Sequence, residues 1–161
     1  MTDPIDELPE DRHRGITRRT RICIWIIIIG LVNFLAYTLA YLYLGGDAMN
    51  GRIEYETVAG QRVLHHYLIA HGDRIEVARG VWVYSAVHSV SIWITVGAVL
   101  LAMLTLAKDR IVSSLRSTII RGRTFITIVA TVVTLITVMV TTWFVIYMIS
   151  HLVDPRPATP P

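Results

Sequence analysis

Three long stretches of the chain contain no charged residue: residues 22–44, 81–106 and 125–153. All twelve acidic and all fifteen basic residues lie outside them. Each stretch exceeds the ~20 apolar residues that a helix needs to cross the hydrocarbon core of a bilayer. An unpaired charge at mid-bilayer costs at least ~2.5 kcal/mol on insertion scales, so this segregation is typical of membrane spans. The sequence therefore predicts an all-α membrane protein with three transmembrane helices at these positions.

The basic residues are divided unevenly among the segments that flank the predicted spans. Five arginines precede the first span and five basic residues separate the second from the third, whereas residues 45–80 hold four basic against five acidic residues. Because cytoplasmic segments are enriched in Lys and Arg, we predict a cytoplasmic N-terminus and an extracytoplasmic C-terminus, in a membrane of the bacterial inner (plasma) type. The residues chosen as topology signals are Arg18, Arg19, Arg21, Arg121 and Arg123. Beside a lipid bilayer these basic patches need no nucleic-acid partner.

Three of the four segments outside the spans are short or polar. Residues 1–21 begin with acidic residues and prolines and end in arginines, which predicts a disordered, basic cytoplasmic tail. Residues 107–124 place apolar side chains one helical turn apart among basic ones, as in an amphipathic cytoplasmic connection. Residues 154–161 are proline-rich and predict an extracytoplasmic tail after the last helix.

The remaining segment, residues 45–80, has the period of two that is typical of strands. Residues 53–57 and 63–69 each alternate in this way, turn-like pairs containing glycine follow both, and Ile75 and Val77 supply a third short strand. We predict a small extracytoplasmic β-meander between helices 1 and 2. Three short strands need a surface to pack on, and the outer ends of the helices can provide it.

Polar and small residues follow one side of the second and third spans at steps of three and four, which is one face of a helix. Such residues let helices approach closely and hydrogen-bond to one another within a membrane. Asn33 lies at the middle of the first span, where an amide requires a partner from another helix. The sequence therefore predicts a closely packed three-helix bundle with an intramembrane polar layer of Asn33, Ser91, Thr95, Thr137 and Thr141.

The candidate metal ligands are three histidines, His71, His88 and His151. His88 lies inside the second span, where an ionisable residue suggests function; alternatively it packs in the bundle and hydrogen-bonds a hydroxyl or carbonyl of another helix. His151 lies about 10 Å farther outward at 1.5 Å per residue, too far for both imidazoles to reach one metal at ~2.1 Å without tilt or slippage. A zinc or copper site would need three convergent ligands. No metal and no cofactor are predicted.

No catalytic motif accompanies these features. The chain has no GxSxG, HExxH or CxxC sequence and no phosphate-binding glycine loop, and its single cysteine, Cys23, cannot form an intramolecular disulfide. We therefore expect a non-enzymatic integral membrane protein whose helix bundle and outer meander bind another membrane or extracytoplasmic protein, as an accessory subunit, a regulator or an immunity-type partner. The alternatives are a metal- or redox-linked membrane subunit that uses the extracytoplasmic histidines, and an oligomeric transport component.

Overall fold

A computed structural model describes residues 10–114 and 122–158 of the chain. Its elements are α1 (Glu10–Leu44), β1 (Asp47–Val58), β2 (Gln61–Ala70), β3 (Asp73–Val77), α2 (Arg79–Ser114), α3 (Gly122–Val153) and β4 (Arg156–Pro157). The three helices are each long and apolar enough to cross a membrane. The predicted fold class is thus confirmed in its coarse form, three such helices with a small sheet, most of which lies between α1 and α2.

The helices extend beyond the uncharged stretches. α1 begins at Glu10, so the part of the predicted disordered tail that the structure describes is helical. α2 runs to Ser114 and takes up the first part of the predicted amphipathic connection. An uncharged run marks where a helix can contact lipid, whereas the helix itself continues while its residues tolerate helical geometry. The predictions for residues 1–9, 115–121 and 159–161, with the topology signal Arg121, lie outside the described residues.

α2 is the central helix, and both other helices pack against it. Gly30 of α1 lies so close to Val99 of α2 that an added Cβ would collide with that side chain, and Gly97 of α2 is equally close to Thr137 of α3. α1 and α3 have at most a marginal contact with each other. Within the described residues, the helices therefore stand side by side in the order α1, α2, α3.

The sheet has the strand order β3-β2-β1-β4. β1, β2 and β3 form the antiparallel meander that the sequence predicts, with a register irregularity between Asp47 and Arg52. β4 comes from the segment predicted as a tail and pairs in parallel with β1 at Glu54 and Tyr55, which makes the sheet mixed. This strand is two residues long and includes Pro157, so its local sequence carries no strand signal.

A small core joins the sheet to the helices. Its buried members come from β1, β2, α2 and α3, namely Ala48, Ile53, Leu68, Trp82, Ala86 and Met148. Leu68 is fully buried, and Trp82 nearly so. The ends of the helices thus supply the packing surface that three short strands lack by themselves.

Candidate functional site

Asn33 joins α1 to α2 near the middle of both helices. Its Nδ2 donates to Ser91 Oγ at 3.2 Å and to Thr95 Oγ1 at 3.1 Å. Both hydroxyls in turn donate to carbonyls of their own helix, Ser91 to His88 and Thr95 to Ser91 and Ile92. The amide therefore meets two oriented acceptors.

Thr137 and Thr141 of α3 do not join this hydrogen-bonded group. Thr137 packs on Gly97, and its hydroxyl donates to Val133 O of its own helix at 2.8 Å. The hydroxyl of Thr141 is buried and has no hydrogen-bond partner within the described residues. The polar contact between α1 and α2 is therefore bonded across the helices, whereas α2 and α3 meet through the packing of Thr137 on Gly97 and the stacking of Phe144 on Trp93.

A second polar cluster lies where the helices meet the sheet, and it is organised around the buried carboxylate of Asp47. Tyr37 Oη of α1 donates to Asp47 Oδ2 at 2.8 Å. The backbone N and Nδ2 of Asn50 donate to Asp47 Oδ1, both at 3.1 Å. These donors compensate for the water that the carboxylate loses on burial.

Residues of α2 complete this junction cluster. Ser85 Oγ accepts the backbone N–H of Ala48 at 3.0 Å, which fixes the start of β1 against α2. The His88 ring lies edge-on between the rings of Tyr37 and Tyr84, with both centroid distances 5.5 Å. Asp47, Ser85, His88 and both tyrosines line one cavity of about 10 Å³. A space of that size admits one water molecule and no organic substrate, so the cluster can bind water or relay a proton.

The structure does not bring the three candidate metal ligands together. His88 points towards α1 as expected, yet its buried Nδ1 has no hydrogen-bond partner within the described residues. His71 occupies the exposed turn between β2 and β3 with φ 53°, and His151 is buried at the end of α3 with Nδ1 3.0 Å from Tyr147 O. Within residues 10–114 and 122–158, no group of three or more His, Cys, Asp or Glu side chains could hold a metal ion.

The side of the sheet that faces away from the helices is charged. His65 Nδ1 lies 2.6 Å from Glu76 Oε1 and His65 Nε2 lies 4.0 Å from Glu56 Oε2. Arg74 pairs with the buried Glu54 at 3.5 Å. On the helix-facing side, burial beside Trp82, with the nearby Arg79 cation, lowers the pKa of His66. The two sides of the sheet therefore differ in charge.

The exposed surface of α3 also has two different sides. Thr127, Thr131, Thr134 and Thr142 are exposed along one side together with Val138, about a quarter turn from the line that contacts α2, and we name the four threonines the threonine face. The opposite side exposes long or bulky side chains: Val132, Ile136, Met139 and Trp143. Beside the threonine face and nearer the sheet, a groove of about 230 Å³ lies between α2 and α3, lined by apolar residues such as Trp82, Val87, Val145 and Ile149.

Sequence reasoning missed the roles of Asp47 and Tyr37. Asp47 was counted only as one acidic residue of the outer segment, although it directly follows Gly45 and Gly46, where α1 ends. Its burial depends on Tyr37, ten residues earlier, and on Asn50, three residues later. The Asp-x-x-Asn spacing, typical of a local side-chain turn, is the one signal that could have indicated it.

No family model matches this chain, and no curated protein or solved structure matches it. The structural class of this protein is therefore defined by its architecture alone, which is three helices of membrane-spanning length and a four-stranded mixed sheet at one end of them.

Proposed function

We propose that this chain is a non-enzymatic integral membrane protein that binds another membrane protein, as an accessory subunit, a regulator or an immunity-type partner. The observation that carries the proposal is the asymmetry of α3: one exposed side carries four threonines around Val138, and the other carries mainly larger apolar side chains. Long apolar side chains suit lipid contact. Short side chains allow the backbones of two helices to approach closely, which drives helix association where no hydrophobic force operates.

Two of the four threonine hydroxyls already donate hydrogen bonds within α3. Thr127 donates to Arg123 O at 3.0 Å and Thr134 to Ala130 O at 2.8 Å. A partner helix can pack on these two residues without leaving their donors unpaired. The apolar groove between α2 and α3 continues the same side of the molecule towards the sheet. Together they offer an approaching transmembrane helix a narrow, smooth surface.

Site-specific photocrosslinking in native membranes tests the proposal. A benzoylphenylalanine residue is introduced at Thr134, or at Ile136 as the matched control. Both positions are exposed, but they lie almost half a turn apart around α3. We expect an adduct of defined mass from position 134 and several-fold less of it from position 136, since only the first lies on the threonine face.

Equal crosslinking at the two positions, or adducts with lipid alone, would contradict the proposal. The mass of the adduct separates a different protein from a second copy of this 18.1 kDa chain. A second copy would redirect the proposal from partner binding to self-association.

The junction cluster favours a second candidate, a proton-linked transport component. Its carboxylate and imidazole line one small cavity, and His88 lies on a helix of membrane-spanning length, where ionisable groups are usually functional. Ion flux in liposomes for the chain and for His88→Gln tests it. A folded His88→Gln protein that has lost flux supports the transport role, whereas an absence of flux from the unchanged chain at every oligomeric state contradicts it.

A further inference from the structure

β1 runs across the ends of all three helices in their order. Its first residue, Asp47, contacts Tyr37 of α1, and the next, Ala48, bonds Ser85 of α2. Farther along, Glu54 and Tyr55 pair with β4, which directly follows the end of α3. Asp47 and Glu54 pair with Ile69 and His65, which are four residues apart on β2, so the irregular start of β1 leaves ~13 Å between them at 3.3 Å per residue.

The β1–β2 hairpin continues past α3. Every residue from Glu56 to Leu64 is exposed, and a Cβ added at Gly60 in the turn would meet nothing within 4 Å. β1 extends four residues beyond Glu54, which adds ~13 Å at 3.3 Å per residue. We refer to residues 55–64 as the overhang.

Register pairing shows which side chains of the overhang face the helix ends. Ile53 pairs with His66, and both are buried against the helices. Two residues further along, Tyr55 pairs with Leu64 on the same side of the sheet, followed by Thr57 with Arg62. The other side of the overhang carries Glu56 opposite Val63. The helix-facing side therefore exposes one aromatic ring, one apolar side chain and one arginine, while the other side carries Glu56 with the exposed Val58 and Val63.

We propose that the helix-facing side of the overhang rests on the lipid headgroup layer of the membrane that the helices cross. This surface is continuous with the one that packs on the helix ends. Leu64 is 50% exposed although it is apolar. Tyrosine rings and arginines with apolar stems are the side chains that suit a membrane interface. Arg62 lies 4.8 Å above the Tyr55 ring, where its guanidinium can also meet a headgroup phosphate.

Spin labels on neighbouring residues test this placement. Leu64→Cys and Val63→Cys are made in a background carrying Cys23→Ala, labelled with a nitroxide and placed in lipid nanodiscs that contain anionic phosphatidylglycerol. The two positions are adjacent and comparably exposed, and they differ in the side of the strand. We expect a several-fold higher ratio of oxygen to nickel-chelate collisions at position 64 than at position 63, because oxygen concentrates in lipid and the chelate in water.

Thr57→Cys and Glu56→Cys repeat the comparison on the other strand, should the label at position 64 disturb folding. Equal collision ratios within both pairs would overturn the proposal. Protection of positions 64 and 57 in native membranes but not in nanodiscs would assign this surface to a protein partner, and would overturn it as well.

Discussion

Replacing Asn33 with leucine removes the hydrogen-bonded contact that joins α1 to α2. The change deletes the two bonds to Ser91 and Thr95 and leaves a side chain of similar size. Side-chain hydrogen bonds between membrane helices are each worth about 0.6 kcal/mol on average, so we expect a loss of about 1 kcal/mol in the free energy of unfolding. Both acceptor hydroxyls keep their bonds to α2 carbonyls, which prevents a larger loss.

Reversible unfolding by SDS in mixed micelles measures this loss. Val32→Leu is the matched control, because Val32 is the neighbouring residue and is 60% exposed; we expect it to change stability by less than about 0.5 kcal/mol. A double-mutant cycle of Asn33→Leu with Thr95→Val isolates one bond, with an expected coupling of about 0.6 kcal/mol. The reasoning fails if Asn33→Leu is as harmless as the control, or if the cycle gives no coupling.

Three further substitutions probe other contacts. Gly97→Ala places a Cβ against Thr137, so we expect a loss of ~1–3 kcal/mol in SDS unfolding that Thr137→Ala largely restores; no recovery in the double variant would refute the contact. Tyr37→Phe removes a donor from the buried Asp47 carboxylate and should cost ~1–3 kcal/mol, measured in the same way; an unchanged stability would contradict its role. Burial lowers the pKa of His66 from 6.5, so the unfolded chain binds more protons than the folded one as pH falls below that value. Stability should therefore decline with acidification below about pH 6.5, and His66→Gln should reduce that decline.

Much of the helical architecture can be predicted from the sequence because a charged residue is strongly disfavoured in lipid wherever it lies in the chain. Charge is excluded from 22–44, 81–106 and 125–153, and each stretch lies inside one helix. The helix ends cannot be predicted in this way, because hydropathy marks only where charged residues begin. α1 starts at Glu10, since the arginine, isoleucine and threonine residues before its uncharged stretch are compatible with a helix.

The sheet was predictable only where its pattern is local. The alternation in residues 53–57 and 63–69 specifies β1 and β2, but β4 exists because the end of α3 brings Arg156 beside Glu54, which is a tertiary event. The junction cluster was not predicted from the sequence for the same reason. Asp47 is buried by Tyr37 and by the packing of β1 on α2, and neither contact follows from the residues next to it in sequence.

The mid-membrane polar residues were identifiable by type but not by partner. Asn33 can be placed at the centre of its span by counting residues, and a buried amide in lipid requires acceptors. Which hydroxyls accept depends on how the helices turn about their axes. Thr95 and Thr137 both lie on the polar side of an uncharged stretch, so the sequence does not distinguish them. In the structure Thr95 accepts a hydrogen bond from Asn33, whereas Thr137 packs on Gly97.

The most direct test of the whole account is the side of the membrane on which the sheet lies. Gln61 is exposed at the tip of the overhang, and Ser113 is exposed near the far end of α2. Single cysteines at these positions, in a background lacking Cys23, are treated with a membrane-impermeant maleimide before and after cell lysis. The account predicts that position 61 reacts in intact cells and position 113 only after lysis. Reaction of position 61 only after lysis would contradict it.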